Sequence, residues 1–132
     1  MLICKESRYR IVRVKKYMHE TALMQNLLNT VYKAVENRNV VRVNRVILSV
    51  GQLSNALPDA LSFAFRAMTQ QGIMKDAQLV IKQTPATARC ESCGGEFPVE
   101  GFPIVCPSCG SSSFSIMSGD EVYIESIDCE ED

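Results

Sequence analysis

Between residues 20 and 37, apolar side chains return at helical spacing. Leu23, Leu27, Val31 and Val35 fall four apart, and Met24, Leu28 and Ala34 widen the stripe. That period predicts an amphipathic helix from Glu20 to Asn37, ended by Arg38 and Asn39, with its Met and Leu side chains in the core. From Arg42 to Val50 the period drops to two. Val46, Leu48 and Val50 share one face and Arg45, Ile47 and Ser49 the other, which predicts a strand closed by Gly51. Residues 52–57 read as a loop. Pro58 suits the first turn of a helix, where its missing N–H costs nothing, and Asp59 suits the positive end of that helix. Leu61, Phe65 and Met68 give the buried stripe, Phe63 and Ala64 lie beside it, and Gly72 is the expected stop. Ala77–Gln83 and Glu121–Ile127 alternate again and predict two more strands.

After Pro85 the composition changes. Cys90 to Ser118 is rich in Cys, Gly, Ser and Pro and lacks apolar periodicity, so it has too little core to fold unaided. A strand follows it directly. The expected fold is therefore α+β. Residues 18–85 and 119–132 form a small three-stranded sheet with two helices, and residues 86–118 are an inserted zinc-ribbon-like domain.

The length of 132 residues fits one such unit, and a 46% hydrophobic share excludes disorder. The net charge of −1 hides an asymmetry. Residues 1–17 hold six basic groups against Glu6 alone, a net +5, while the rest carries eight basic and fourteen acidic groups, a net −6. No apolar run follows the basic segment, so it is not a secretory signal. It reads as a frayed N-terminal extension preceding the natural start. No run of ~18 apolar residues occurs to span a membrane.

Cys90-x-x-Cys93 and Cys106-x-x-Cys109 each precede a glycine, Gly94 and Gly110. Two cysteines three apart turn both sulfurs to one side of a tight turn, and the glycine permits positive φ there. Two such turns supply four thiolates, a closed tetrahedral set that suits structural zinc and leaves no position for a catalytic water. Redox use of the pairs would need a strand-to-helix setting that these residues lack. Thiolate metal ligation without a secretory signal points to the reducing cytoplasm. Cys4 and Cys129 lie outside the motif and read as exposed terminal thiols. The single histidine, His19, excludes most Ser-His-Asp and multi-His chemistry unless this one residue does the work. A zinc-ribbon interaction module that binds protein or nucleic acid is the alternative reading. Phosphate binding is disfavoured, because Cys90 to Ser118 contains no Lys or Arg and holds Glu91, Glu96 and Glu100.

The order of motifs is distinctive. Met18-His19-Glu20 precedes the first helix, Val46-Ile47-Leu48-Ser49-Val50-Gly51-Gln52-Leu53-Ser54 ends the first strand, and Pro58-Asp59-Ala60-Leu61-Ser62-Phe63 opens the second helix. The two cysteine pairs and Ser118-Gly119-Asp120-Glu121 follow. This series resembles the HypA/HybF family of nickel metallochaperones for nickel–iron hydrogenase maturation, over Met18 to about Asp128. The resemblance implies a nickel domain and a zinc domain. It also implies a HypB-type GTPase and the hydrogenase large-subunit precursor as partners, with urease served in some members. Carried over residue by residue, the nickel motif is Met18, His19 and Glu20; some members add a carboxylate from the loop before the second helix, for which Asp59 is the nearest candidate here. The zinc ligands are Cys90, Cys93, Cys106 and Cys109. An α-amine, backbone amide nitrogens and the His19 imidazole make a nitrogen-rich set suited to Ni(II). The family motif begins at the initiator Met, whereas Met18 here is internal and its nitrogen is a peptide amide; the expectation is that translation starts at Met18. A monomer or a homodimer is compatible with the sequence.

Overall fold

The structure, a computed structural model, describes residues 2–13 by their backbone and residues 20–132 in full. In chain order the elements are β1 (Leu2–Arg13), α1 (Glu20–Val35), β2 (Val40–Gly51), α2 (Pro58–Met68), β3 (Gln78–Thr84), β4 (Thr87–Cys90), β5 (Glu96–Pro98), β6 (Phe114–Ser118) and β7 (Glu121–Glu131). Four strands form one sheet in the order β1-β7-β2-β3. β2 and β3 are parallel and joined through α2, while β7 runs antiparallel to both of its neighbours.

The core lies between the helices and one face of this sheet. α1 buries Leu23, Met24, Leu27, Leu28, Val31 and Val35, the stripe read from the sequence. α2 buries Leu61, Ala64 and Phe65. The sheet contributes Val43, Val46, Leu48 and Val50 from β2, and Val122, Ile124, Ile127 and Cys129 from β7. Val43 and Val46 are three apart, which strict alternation forbids. The β2–β7 register shifts between Val43 and Arg45, and a second shift accommodates the step from Ile124 to Ile127. Such irregularities return an out-of-phase side chain to the inner face.

α2 stops at Met68 rather than at Gly72. The Thr69 hydroxyl donates to the Phe65 carbonyl at 2.6 Å, and Gly72, at φ +80°, opens a short 3-10 turn that buries Met74.

The first 17 residues are not a frayed leader throughout. Leu2–Arg13 runs as β1 along the edge of β7, so the sheet has a fourth strand beyond the three expected. Its register sets Lys5 opposite Asp128 and Arg13 opposite Glu121. The basic segment and the acidic tail, separate in sequence, are thus neighbouring strands. Cys129 also departs from the sequence reading: it is fully buried and disulfide-bonded, not an exposed thiol, and the register sets Cys4 opposite it. On the other side of β7, Arg42 of β2 reaches both carboxylate oxygens of Glu130 at 2.8 Å, and this fork holds the Glu130 carboxyl below its ordinary pKa.

Between β3 and β7 the chain forms a second sheet in the order β5-β4-β6, three short antiparallel strands where the sequence shows no periodicity. Its core is small: Ala86, Ala88, Cys90, Phe97, Val99 and Cys106. The two sheets meet at glycines. A Cβ on Gly51 would lie 2.3 Å from the Gly119 carbonyl oxygen, and one on Gly119, at φ +92°, would lie 2.4 Å from Ala86 Cα. Backbone there has no room to give. We therefore expect Gly51→Ala to destabilise the protein by about 1–3 kcal/mol. The effect would be a lower urea midpoint at unchanged slope; an unchanged midpoint would show that the junction relaxes freely.

Candidate metal centres

The four cysteines come from two similar turns. Cys90 ends β4, and the Gly94 N–H donates back to the Cys90 carbonyl at 2.9 Å; the Gly110 N–H does the same to the Cys106 carbonyl at 2.8 Å. Gly94 and Gly110 close these turns at φ +77° and +76°, where a Cβ would be strained. The turns are tied together. Glu91 N–H donates to the Ser113 carbonyl at 3.0 Å, and the Ser92 hydroxyl donates to Ser111 Oγ at 3.0 Å.

The ligand atoms converge within 4.8 Å of one another. Cys90 and Cys109 Sγ are 3.5 Å apart, and Cys93 and Cys106 Sγ are 3.7 Å apart. The edge of a tetrahedron with metal–sulfur bonds of ~2.3 Å is about 3.8 Å. The geometry therefore fits a four-thiolate metal site. Cys90 and Cys106 are buried, while Cys93 and Cys109 are exposed.

The protonation pattern points the same way. The Cys93 N–H donates to Cys90 Sγ at 3.4 Å, and this contact leads in lowering the Cys90 thiol to about 6. The backbone N–H groups of Cys109 and Ser108 lower Cys106 likewise. Cys109 goes the other way. The Ser111 N–H favours its thiolate, but hydrogen bonding to Cys90, burial and the other thiols together push it up to about 12. Four sulfurs this close cannot all carry charge without a cation between them.

The second candidate centre is assembled from two helix starts. Glu20 is the first residue of α1, and its Oε1 accepts the Leu57 N–H at 3.3 Å, just ahead of Pro58 and the exposed Asp59 in the first turn of α2. The last residue of the Met18-His19-Glu20 motif is thus beside the start of α2, whose first turn carries Asp59. Met18 and His19 lie outside the described residues.

Sequence reasoning passed over Gln52 and Leu53 as loop residues. Gln52 Nε2 donates to the Val99 carbonyl at 3.2 Å and its Oε1 accepts the Ala86 N–H at 2.9 Å, while Leu53 packs against the core around Cys90 and Cys106. The one signal in the sequence is Gly51 immediately before them, a residue type that marks close backbone approach.

Residues 18–129 match the family model described as hydrogenase/urease nickel incorporation, metallochaperone, hypA. Hydrogenase maturation factor HypA of Geobacter metallireducens is 36% identical over 113 residues, which cover 86% of this chain and all of that protein. The HypA of Desulfitobacterium hafniense is 39% identical over 114 residues, with the same coverage. In fold, the chain is similar to the solution structure of the Ni metallochaperone HypA from Helicobacter pylori. The TM-score is 0.67 at 22% identity, covering 87% of this chain and 100% of that one.

Proposed function

Because the chain belongs to the HypA family of nickel-incorporation metallochaperones, we propose that it binds Ni(II) at Met18, His19 and Glu20 and delivers it in the cytoplasm for maturation of a nickel–iron hydrogenase. The resident ion at Cys90, Cys93, Cys106 and Cys109 is Zn(II), which crosslinks two loops as a closed tetrahedral centre. The partners are a HypB-type GTPase and the hydrogenase large-subunit precursor. The role is carriage and not catalysis, since a four-thiolate centre has no open position for a substrate.

The observation that carries this reading is the Glu20–Leu57 contact. It sets Glu20, the last residue of the motif, beside the start of α2, so that Glu20 and Asp59 are two carboxylates at adjoining helix ends. Both helix N-termini favour negative charge there, and the carboxylates in turn favour a cation. Glu20 is half-buried and Asp59 exposed. A cargo ion in such a place is held at the surface and can be surrendered to an acceptor, unlike an ion among the buried cysteines. A nucleic-acid role gains nothing from the fold, since the cysteine module displays Glu91, Glu96 and Glu100 at its surface.

Purified protein is expected to retain about one zinc and to take up about one Ni(II) more weakly. The imidazole of His19 binds metal only when neutral, so nickel affinity should fall as the pH is lowered. Calorimetry across pH 5 to 8, with metal analysis before and after, measures both ions. Nickel affinity that stays level down to pH 5 would remove the histidine from the site.

A further inference from the structure

β3 ends the main sheet. Among the described residues no strand lies beyond it, so the backbone N–H and C=O groups along its outer side have no ladder partner. Three consecutive apolar residues, Leu79, Val80 and Ile81, are only half-buried there. Leu79 and Ile81 pack against the main core, which places them on the helical face of the sheet. A groove of about 450 Å³ lies between this strand and α2, a volume in the range of ligand pockets. Ser62, Phe65 and Arg66 line its helix side, and Gln78, Leu79 and Val80 its strand side. Buried Phe65 and half-buried Leu79 make the floor apolar. The rim carries one sign of charge. Arg66 is the only charged residue that lines the groove; it is exposed and makes no ion pair with a described residue. The Ser62 hydroxyl and the Gln78 amide supply further donors.

We propose that this groove binds an extended segment of a partner protein, which adds to β3 as a fifth strand of the main sheet and carries an acidic side chain two residues from an apolar one. Each part of the segment answers one part of the site. A row of unpaired strand backbone is satisfied by another extended backbone, which is the mode of strand addition. Side chains two apart in a strand share a face, so the apolar one lies on Phe65 and Leu79 while the carboxylate meets Arg66. Guanidinium and carboxylate match in geometry as well as in charge. A second copy of this chain is a poorer occupant. β3 contains Lys82 and no acid. Two β3 strands paired antiparallel about Val80 would set the second copy's Lys82 opposite Gln78, at the groove that Arg66 already makes positive. A lysine on an edge strand discourages such self-pairing. The groove shares no residue with either candidate metal centre, so its occupation requires neither metal to leave.

The test follows backbone amide resonances of the full, metal-loaded chain while a capped peptide, acetyl-Ser-Thr-Val-Thr-Glu-Thr-Val-Ser-amide, is added to millimolar concentration. Shifts should concentrate in Ser62–Arg66 and Gln78–Thr84. The same peptide with Gln in place of Glu should bind about fivefold more weakly, the upper range for an exposed ion pair. Arg66→Gln should weaken the Glu peptide by the same factor and no longer distinguish it from the Gln peptide, whereas Arg66→Lys should keep most of the difference. Arg66 is exposed, so both variants should fold, and unchanged amide spectra away from the groove check that. Two further peptides carry N-methyl groups on alternate residues, one in each phase. Strand pairing uses the N–H groups of every second residue, so one phase should lose binding and the other keep it. Absence of shifts in β3 and α2 would overturn the proposal. So would equal binding of the Glu and Gln peptides to the wild-type chain, or equal loss in both N-methyl phases. Sedimentation of the chain alone supplies the last check. A monomer leaves the groove to a partner, and a dimer whose formation blocks the peptide would give it to a second copy and overturn the proposal.

Discussion

Chelation of the thiolate metal will unfold residues 86–118 and leave the helical part of the protein folded. The module has a core of six buried side chains, two of which are ligands, with Leu53, Ile104, Phe114 and Ile116 packed around them. Its strands have four, three and five residues. Isolated strands of this size are marginal at best. The metal supplies what the core lacks: structural zinc contributes apparent folding energies of ~10–16 kcal/mol in small zinc peptides. The main sheet is independent of it, with its own apolar core from both helices and from β2 and β7. Amide exchange should therefore separate the chain into two populations after extraction. Residues of β4, β5 and β6 lose protection, and those of α1, β2 and β7 keep it. Cys106→Ser should reproduce the pattern without a chelator, because it removes a buried ligand. Extraction should also become easier in acid, since protons compete with the metal for the four thiolates. Retained protection in β4 after verified removal of the metal would show that the small core suffices.

Replacing His19 with Ala should abolish nickel delivery while leaving the zinc content at about one per chain. The two effects separate because the four cysteines by themselves supply a complete tetrahedral ligand set among residues 90–109. Nickel affinity should drop by at least about 100-fold. Loss of a supporting contact near a metal costs up to that much, and in the proposed site a ligand itself is lost. Glu20 and Asp59 would remain, but two surface carboxylates without a nitrogen donor suit harder ions than Ni(II). Hydrogenase activity in cells carrying only the H19A form should be absent at ordinary nickel supply. Normal activity in those cells would place the nickel elsewhere.

The parts of this fold that were legible are those fixed by local pattern. The stripe of α1 and the proline at the start of α2 needed no distant partner, and the paired Cys-x-x-Cys turns carry their own geometry in the following glycines. What escaped depends on residues far away in the chain. β1 looked like a solvated charged segment because its neighbour, β7, is more than a hundred residues on; only the backbone register pairs Lys5 with Asp128 and Arg13 with Glu121. Cys129 looked terminal and idle because its burial depends on both helices packing over the sheet. Gly72 resembled a helix stop, yet the Thr69 hydroxyl ends the helix earlier. Gln52 and Leu53 had no periodicity to expose them. Their role arises only because the inserted residues fold back onto the end of β2.

The crossing at Gly51 has an evolutionary consequence. Thr84, where the chain leaves the main sheet, is the register partner of Gly51, and Gly119, where it returns, lies against the same residue. Departure and return are therefore next to each other. A stretch inserted between two such neighbouring points disturbs neither strand order nor register in the host, whatever its length, because closing a longer loop adds little entropy. The cysteine module is in that sense a side branch. Its size and decoration can change without disturbing the host sheet, whereas the close-packed glycines at its base cannot.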